Sequence, residues 1–129
     1  MPNKMKAHDL LLKRVMDKLY RMGCIPYRNE SKAAWVGNVV HQEGSMVTLD
    51  KAARVQVGLV KGSADIVGFD APPHQPFARF FGIEIKTGSG MLTKEQREWI
   101  NCVRQNGGIA GVARSVEDAV EIIEASRNE

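Results

Sequence analysis

The chain has 129 residues, 43% hydrophobic and 26% charged, which is ordinary for a globular domain; one domain over residues 1–129 is expected and a second has no room. No apolar run approaches the ~20 residues that span a bilayer, and Met1-Pro2-Asn3-Lys4 lacks the apolar stretch of a secretion signal, so a cytoplasmic protein without membrane association is expected. The net charge of +3 permits a polyanionic partner without requiring one, and two cysteines, Cys24 and Cys102, are too few for a disulfide framework or a zinc knuckle and read as small buried thiols.

Leu11, Leu12, Val15, Met16 and Leu19 recur at helical spacing and predict a helix over 6–22, stopped by Gly23. His8 lies one turn before Leu11 and Leu12 on the same stripe, with Asp9 at its flank. Either can face a sheet, or Asp9 can simply suit the helix N-terminus while His8 stays half-exposed. A short strand follows over 24–28, then a polar break over 29–32.

Residues 33–60 are the least legible stretch. Strand pieces at 34–37 and 46–49 around a glycine turn at 43–45 predict a hairpin that elaborates one edge of the domain. Lys51, Arg54 and Lys61, with Arg28 and Lys32 before them, make the region basic, which suits a phosphate-contacting rim or a solvated charged face equally.

Residues 62–69 combine a glycine-bounded turn with a short apolar strand, and Asp65 stands where turn becomes strand. Aspartate is disfavoured inside strands, so Asp65 is either a turn cap or an acid placed at a sheet end. A proline-rich loop over 70–76 carries His74, read as exposed. Phe80, Phe81, Ile83 and Ile85 then predict a buried strand, interrupted by Glu84 and Lys86, which two-residue spacing puts on one face. Thr93 and Gln96 form a capping box that opens a second helix, with Trp99, Ile100 and Val103 on its apolar face and a glycine stop at 106–108. A buried strand over 109–113 and a last helix capped by Ser115 and running to 125 complete the chain, with 126–129 expected to fray.

The order α-β-(insert)-β-β-α-β-α describes an α/β sandwich. A hairpin carrying Asp65 and Glu84 brings both carboxylates to one sheet end with Lys86 beside them. Hard oxygen donors on adjacent strands suit Mg²⁺ or Mn²⁺, and a nearby lysine can orient or deprotonate a water and offset charge on a phosphate. Together the three residues read as a phosphodiesterase site.

Asp65 followed by Glu84-Ile85-Lys86 resembles the PD-(D/E)XK nuclease superfamily. The fuller string resembles its VRR-NUC branch: Lys61-Gly62-Ser63-Ala64-Asp65-Ile66, then Ile83-Glu84-Ile85-Lys86-Thr87, Gly90, Leu92-Thr93-Lys94-Glu95-Gln96 and Asn106-Gly107-Gly108. That branch includes small stand-alone phage and bacterial proteins and the catalytic domain of the Fanconi-associated nuclease. The resemblance covers residues 65–112 well, the first helix moderately and 33–60 poorly.

It implies a restriction-endonuclease-like αβββαβ core, a mixed central sheet flanked by helices, in a protein of the bacterial or infected-host cytoplasm. It also implies a Mg²⁺- or Mn²⁺-dependent endo- or exodeoxyribonuclease cutting DNA, with junction or branched DNA as candidate substrates, acting as a homodimer. Asp65 and Glu84 would hold the metal with the backbone carbonyl of Ile85, Lys86 would activate the water, and Gln96 would face the site. The capping box explains Gln96 without any catalysis, so both readings of it stand at this point. Trp35 is either a dimer-interface anchor or a core residue.

Two departures stand out. The family usually has a glutamate in the first helix where this chain offers only His8 or Asp9, and Ser63-Ala64 stand where a proline commonly precedes the aspartate. The first departure motivates an alternative, a non-catalytic nucleic-acid-binding module that keeps the nuclease fold.

Overall fold

A computed structural model describes residues 6–129. Its elements in chain order are α1 (Ala7–Arg21), β1 (Cys24–Arg28), β2 (Lys32–Glu43), β3 (Met46–Val57), β4 (Ile66–Asp70), β5 (Arg79–Ile85), α2 (Lys94–Gln105), β6 (Ile109–Ala113) and α3 (Val116–Arg127). The protein is therefore mixed α/β, with three helices and six strands among the described residues. No described helix is long and apolar enough to cross a membrane.

Four strands form the central sheet in the order β1-β4-β5-β6. β1 pairs antiparallel with β4, and β4 with β5, while β6 is parallel to β5 and is reached through α2. Parallel neighbours need a crossover, and α2 supplies it. Pro26 lies inside β1, which an edge strand tolerates because its missing N–H need not join a ladder.

β5 is buried over its last five residues, as expected of a strand covered on both faces. Phe81, Ile83 and Ile85 join Leu12, Val15 and Leu19 of α1 and Ala119 and Ile123 of α3 in the main core. The alternate residues face α2. The Phe80 and Trp99 rings meet edge to face with centroids 6.2 Å apart. Gly82 lies under the same indole, where an added Cβ would come within 2.4 Å of the ring, so only glycine admits this close approach. Glu84 completes that row.

The hairpin at 33–60 differs from its expected form. β2 and β3 are twelve residues each and, among the described residues, pair only with one another, forming a second sheet instead of extending an edge of the first. The register shifts around Gly37 and Val40, and the turn falls at Gly44-Ser45. Trp35 is 65% exposed, which removes its core reading.

Three further expectations are corrected. Asp70 belongs to β4, not to the proline loop, and is 1% exposed. Its carboxylate accepts from Arg127 Nη2 at 2.8 Å and Nε at 3.0 Å, and Arg127 Nη2 also donates to the Met22 carbonyl at 2.7 Å. The C-terminal turn is thus pinned at Arg127 where fraying was expected, because a buried carboxylate needs its counter-charge. Cys24 is buried as expected; burial, then the Asp70 charge, pushes its thiol up to about 11, so it stays protonated. Cys102, on α2, is exposed. His74 is exposed as expected.

Candidate active site

The β4–β5 register pairs Ile66 with Ile83, so one step further along the ladder Asp65 stands opposite Glu84. Asp65 lies just outside β4 and its carboxylate folds back over the strand end. Asp65 Oδ2 accepts from the Ile85 N–H at 2.9 Å. The Lys86 N–H points the other way, to the Ala113 carbonyl at 3.1 Å. Peptide groups of a strand alternate between its two neighbours, so the Ile85 carbonyl faces the Asp65 edge along with its N–H.

Glu84 is the unusual member of the group. It is 4% exposed, and Gln96 Nε2 donates to its Oε1 at 3.1 Å. Its Oε2 has no hydrogen-bond partner among the described residues. Burial foremost, and then the charge of Asp65, pushes the Glu84 carboxyl up to about 8 from its ordinary 4.5; Lys86 pulls the other way but does not offset this. Lys86 Nζ is 3.9 Å from Glu84 Oε1, an ion-pair distance too long for a hydrogen bond.

Gln96 makes the capping box and touches Glu84 at the same time. Its Oε1 accepts from the Thr93 N–H at 2.9 Å while the Thr93 hydroxyl oxygen accepts from the Gln96 N–H at 3.1 Å. That leaves the Gln96 amide nitrogen free to donate to Glu84. The capping box therefore orients the amide, and the amide orients the carboxylate.

The first helix also reaches this point. His8 Nε2 lies 3.3 Å from Asp65 Oδ2, and His8 Nδ1 is 3.5 Å from Asp9 Oδ1. Asp9 pairs with Arg28 at the end of β1, at 3.6 Å, and does not line the cleft beside Asp65 and Glu84. Of the two side chains that α1 offered, His8 is the one brought to the acidic pair.

Asn29, read in sequence only as part of a polar break, clasps the loop that presents Asp65. Its Nδ2 donates to Ser63 Oγ and to the Ala64 carbonyl, both at 2.8 Å, and its Oδ1 accepts from the Leu59 N–H at 3.0 Å. Its own N–H donates to the Asp65 carbonyl at 2.7 Å. Gly62, with φ of 89°, lets the same loop press against the Glu95 backbone, where a Cβ would approach within 2.6 Å. Its place in the polar break after β1 was the only signal in the sequence, and that does not name its partners.

Asp65, Glu84, Gln96 and His8 line a cleft of about 460 Å³, with Arg28 and Lys61 at its walls. Arg28 and Lys32 both grip Glu30, at 2.8 and 3.1 Å, and the Lys32 hydrogen bond foremost holds that carboxyl below its ordinary value. Lys51 and Arg54, expected to share this rim, lie instead on the separate β2–β3 ribbon. The basic residues therefore divide between cleft and ribbon.

The donor set fits a hard divalent cation. Among the described residues no three His, Cys, Asp or Glu side chains already close on a common point. A buried carboxylate with one orphaned oxygen, next to a second carboxylate, is nevertheless what an ion bound by one or two acids and several waters requires. A cation there would satisfy Glu84 Oε2 and remove the repulsion that raises its proton affinity. No family model matches the chain, and no match is found among curated proteins.

Proposed function

We propose that the protein is a Mg²⁺- or Mn²⁺-dependent nuclease of the PD-(D/E)XK superfamily, of VRR-NUC type, that hydrolyses DNA phosphodiester bonds. The observation that carries this reading is the unpartnered Glu84 oxygen set beside Asp65 at the end of two paired strands, with Lys86 on the same spot. Leaving out the β2–β3 ribbon, the order α1-β1-β4-β5-α2-β6 supports the restriction-endonuclease-like core that the motif implies.

Asp65, Glu84 and the Ile85 carbonyl would hold the cation, which when bound supplies positive charge to a phosphate oxygen and acidity to a water. The chain's own side chains do the rest. Gln96 keeps Glu84 turned inward, and the Ile85 N–H keeps Asp65 over the strand end. Lys86, largely shielded from solvent, orients the attacking water and offsets the charge that gathers on the phosphate oxygens. The water oxygen joins phosphorus as the bond to the leaving sugar oxygen breaks, and the products are one phosphomonoester end and one hydroxyl end. Arg28 and Lys61 at the cleft wall suit backbone phosphates, which fits recognition of DNA shape over sequence and keeps junction and branched DNA among the candidate substrates.

A homodimer is part of the proposal. Two-stranded ribbons are marginal in water on their own, and β2–β3 carries Trp35, Val39 and Met46 exposed with both long edges unpaired, which suits cover by a second copy.

The test is a panel of linear, nicked, flapped and junction DNAs incubated with Mg²⁺ or Mn²⁺, beside the Lys86→Ala variant. Metal-dependent cleavage that falls about 10²-fold or more in the variant, with DNA affinity held, is expected. Salt-sensitive binding without cleavage on any substrate would instead establish the binding-module alternative, and cleavage that survives in Lys86→Ala or in a chelator would sink the assignment.

A further inference from the structure

We propose that Arg28 and Lys32 form a second phosphate-binding subsite on the wall of the cleft, and that the Glu30 carboxylate occupies it in the free protein and gives way to a backbone phosphate of bound DNA. The identity of the polyanion rests on the nuclease reading above. The subsite itself rests on the geometry of β1 and the chain that follows it.

Glu30 is held as such a phosphate would be. Its Oε1 lies 2.8 Å from Arg28 Nη2 and its Oε2 lies 3.1 Å from Lys32 Nζ, so each oxygen of one charged group meets a different cation. A phosphodiester also presents two charged oxygens on a single atom, and arginine binds carboxylate and phosphate through the same donor geometry. All three side chains line the cleft that holds Asp65 and Glu84. Asn29, between Arg28 and Glu30, donates its N–H to the Asp65 carbonyl at 2.7 Å, which fixes the subsite beside the acidic pair.

The ion pairs are not what holds this segment in place. The side chains of Arg28, Glu30 and Lys32 are 43, 47 and 61% exposed, and pairs so exposed contribute little to stability. Asn29 anchors the segment instead, together with Ser31, whose hydroxyl lies 2.9 Å from both the Leu59 and Val60 carbonyls. Exchanging Glu30 for another anion therefore leaves the chain where it is. Charge leads to the same conclusion. Arg28 and Lys32 face two carboxylates, Glu30 and Asp9, the latter 3.6 Å from Arg28, so with Glu30 in place the charges of this wall cancel. Once Glu30 swings into solvent, one positive charge is in excess. Glu30 thus sets how strongly the cleft holds DNA.

The test is DNA binding by the full chain carrying Lys86→Ala, with Mg²⁺ present, so that DNA is held but not appreciably cut. Fluorescence anisotropy follows labelled junction and duplex DNA between about 50 and 200 mM salt. Adding Glu30→Gln is expected to tighten binding about fivefold or more and to steepen the fall of log affinity with log salt by about one, as one further phosphate contact would. Glu117→Gln removes the same charge from the exposed start of α3, away from the cleft, and should change affinity by less than about twofold because salt screens distant charges. Lys32→Gln or Arg28→Gln, placed on top of Glu30→Gln, should return affinity and slope to the parent's values or below. If the parent binds DNA but Glu30→Gln gains no more than Glu117→Gln, or if the gain survives both added substitutions, the subsite proposal falls and the nuclease reading stands. If no form binds either DNA at low salt, both fall. Lys32, the most exposed of the three, decides the matter even if an Arg28 variant fails to fold.

Discussion

Replacing Glu84 by glutamine should make the metal-free protein more stable while removing its response to metal. Folding buries Glu84 beside Asp65 and raises its carboxyl to about 8. The folded state therefore prefers the protonated acid, so the stability linked to this group is fully present below the unfolded value near 4.5 and is lost as pH rises from there through about 8. Each pH unit across that window is worth ~1.4 kcal/mol, so above pH 8 the ionised side chain costs the fold on the order of 5 kcal/mol. Glutamine carries no charge at any pH, keeps an oxygen for Gln96 Nε2 and presents an amide toward Asp65 where the carboxylate presents an orphaned oxygen. Urea unfolding in chelator at pH 8.5 should thus show Glu84→Gln more stable by a few kcal/mol, with a midpoint temperature higher by on the order of 10 °C. At pH 4.5 the two proteins should agree to within about 1 kcal/mol. Saturating Mn²⁺ should stabilise the wild type and leave the variant unmoved. A variant that is less stable than wild type at pH 8.5 in chelator, or a difference that does not change with pH, would refute the reasoning.

Other parts of the structure make separate predictions. Asn29→Ala removes three side-chain hydrogen bonds from a buried clasp, and should lower unfolding free energy by about 2–3 kcal/mol and speed amide exchange through residues 59–65. Arg127→Met leaves the Asp70 carboxylate buried without its partner and should cost about 3–5 kcal/mol in denaturant unfolding, a loss that Asp70→Asn in the same chain should partly recover. Trp35→Ser strips the largest exposed side chain from the β2–β3 ribbon and should shift sedimentation toward the monomer without changing the far-ultraviolet dichroism of the central sheet.

The parts that sequence alone settled are those governed by neighbours in the chain. Period and capping placed α1, α2 and α3 to within a residue or two, because the Thr93–Gln96 box and the Ser115 cap close inside a single turn. The hairpin holding Asp65 opposite Glu84 was legible for the same reason: one loop joins its strands, and alternation fixes which side chains share a face. Lys86 followed from its two-residue spacing to Glu84, whereas Gln96 at the site was what the family resemblance implied.

What tertiary structure decided were contacts between distant segments, for which a side chain's type leaves many partners open. Whether His8 or Asp9 turns inward depends on how α1 is rotated against the sheet, a rotation set by Leu12, Val15 and Leu19 packing on Phe81, Ile83 and Ile85. Asn29 looked like any loop asparagine until folding brought residues 59–65 over it. Asp70 and Arg127, fifty-seven residues apart, each read as a chain-end or loop charge, and only burial of the first made the second necessary. The β2–β3 ribbon exposed the opposite limit. Its alternation was blurred by two register shifts, and with neither edge paired to the central sheet, nothing in its residues told an edge extension from a free-standing arm. Local geometry is written in spacing; which distant surfaces meet is set by the packing of the core.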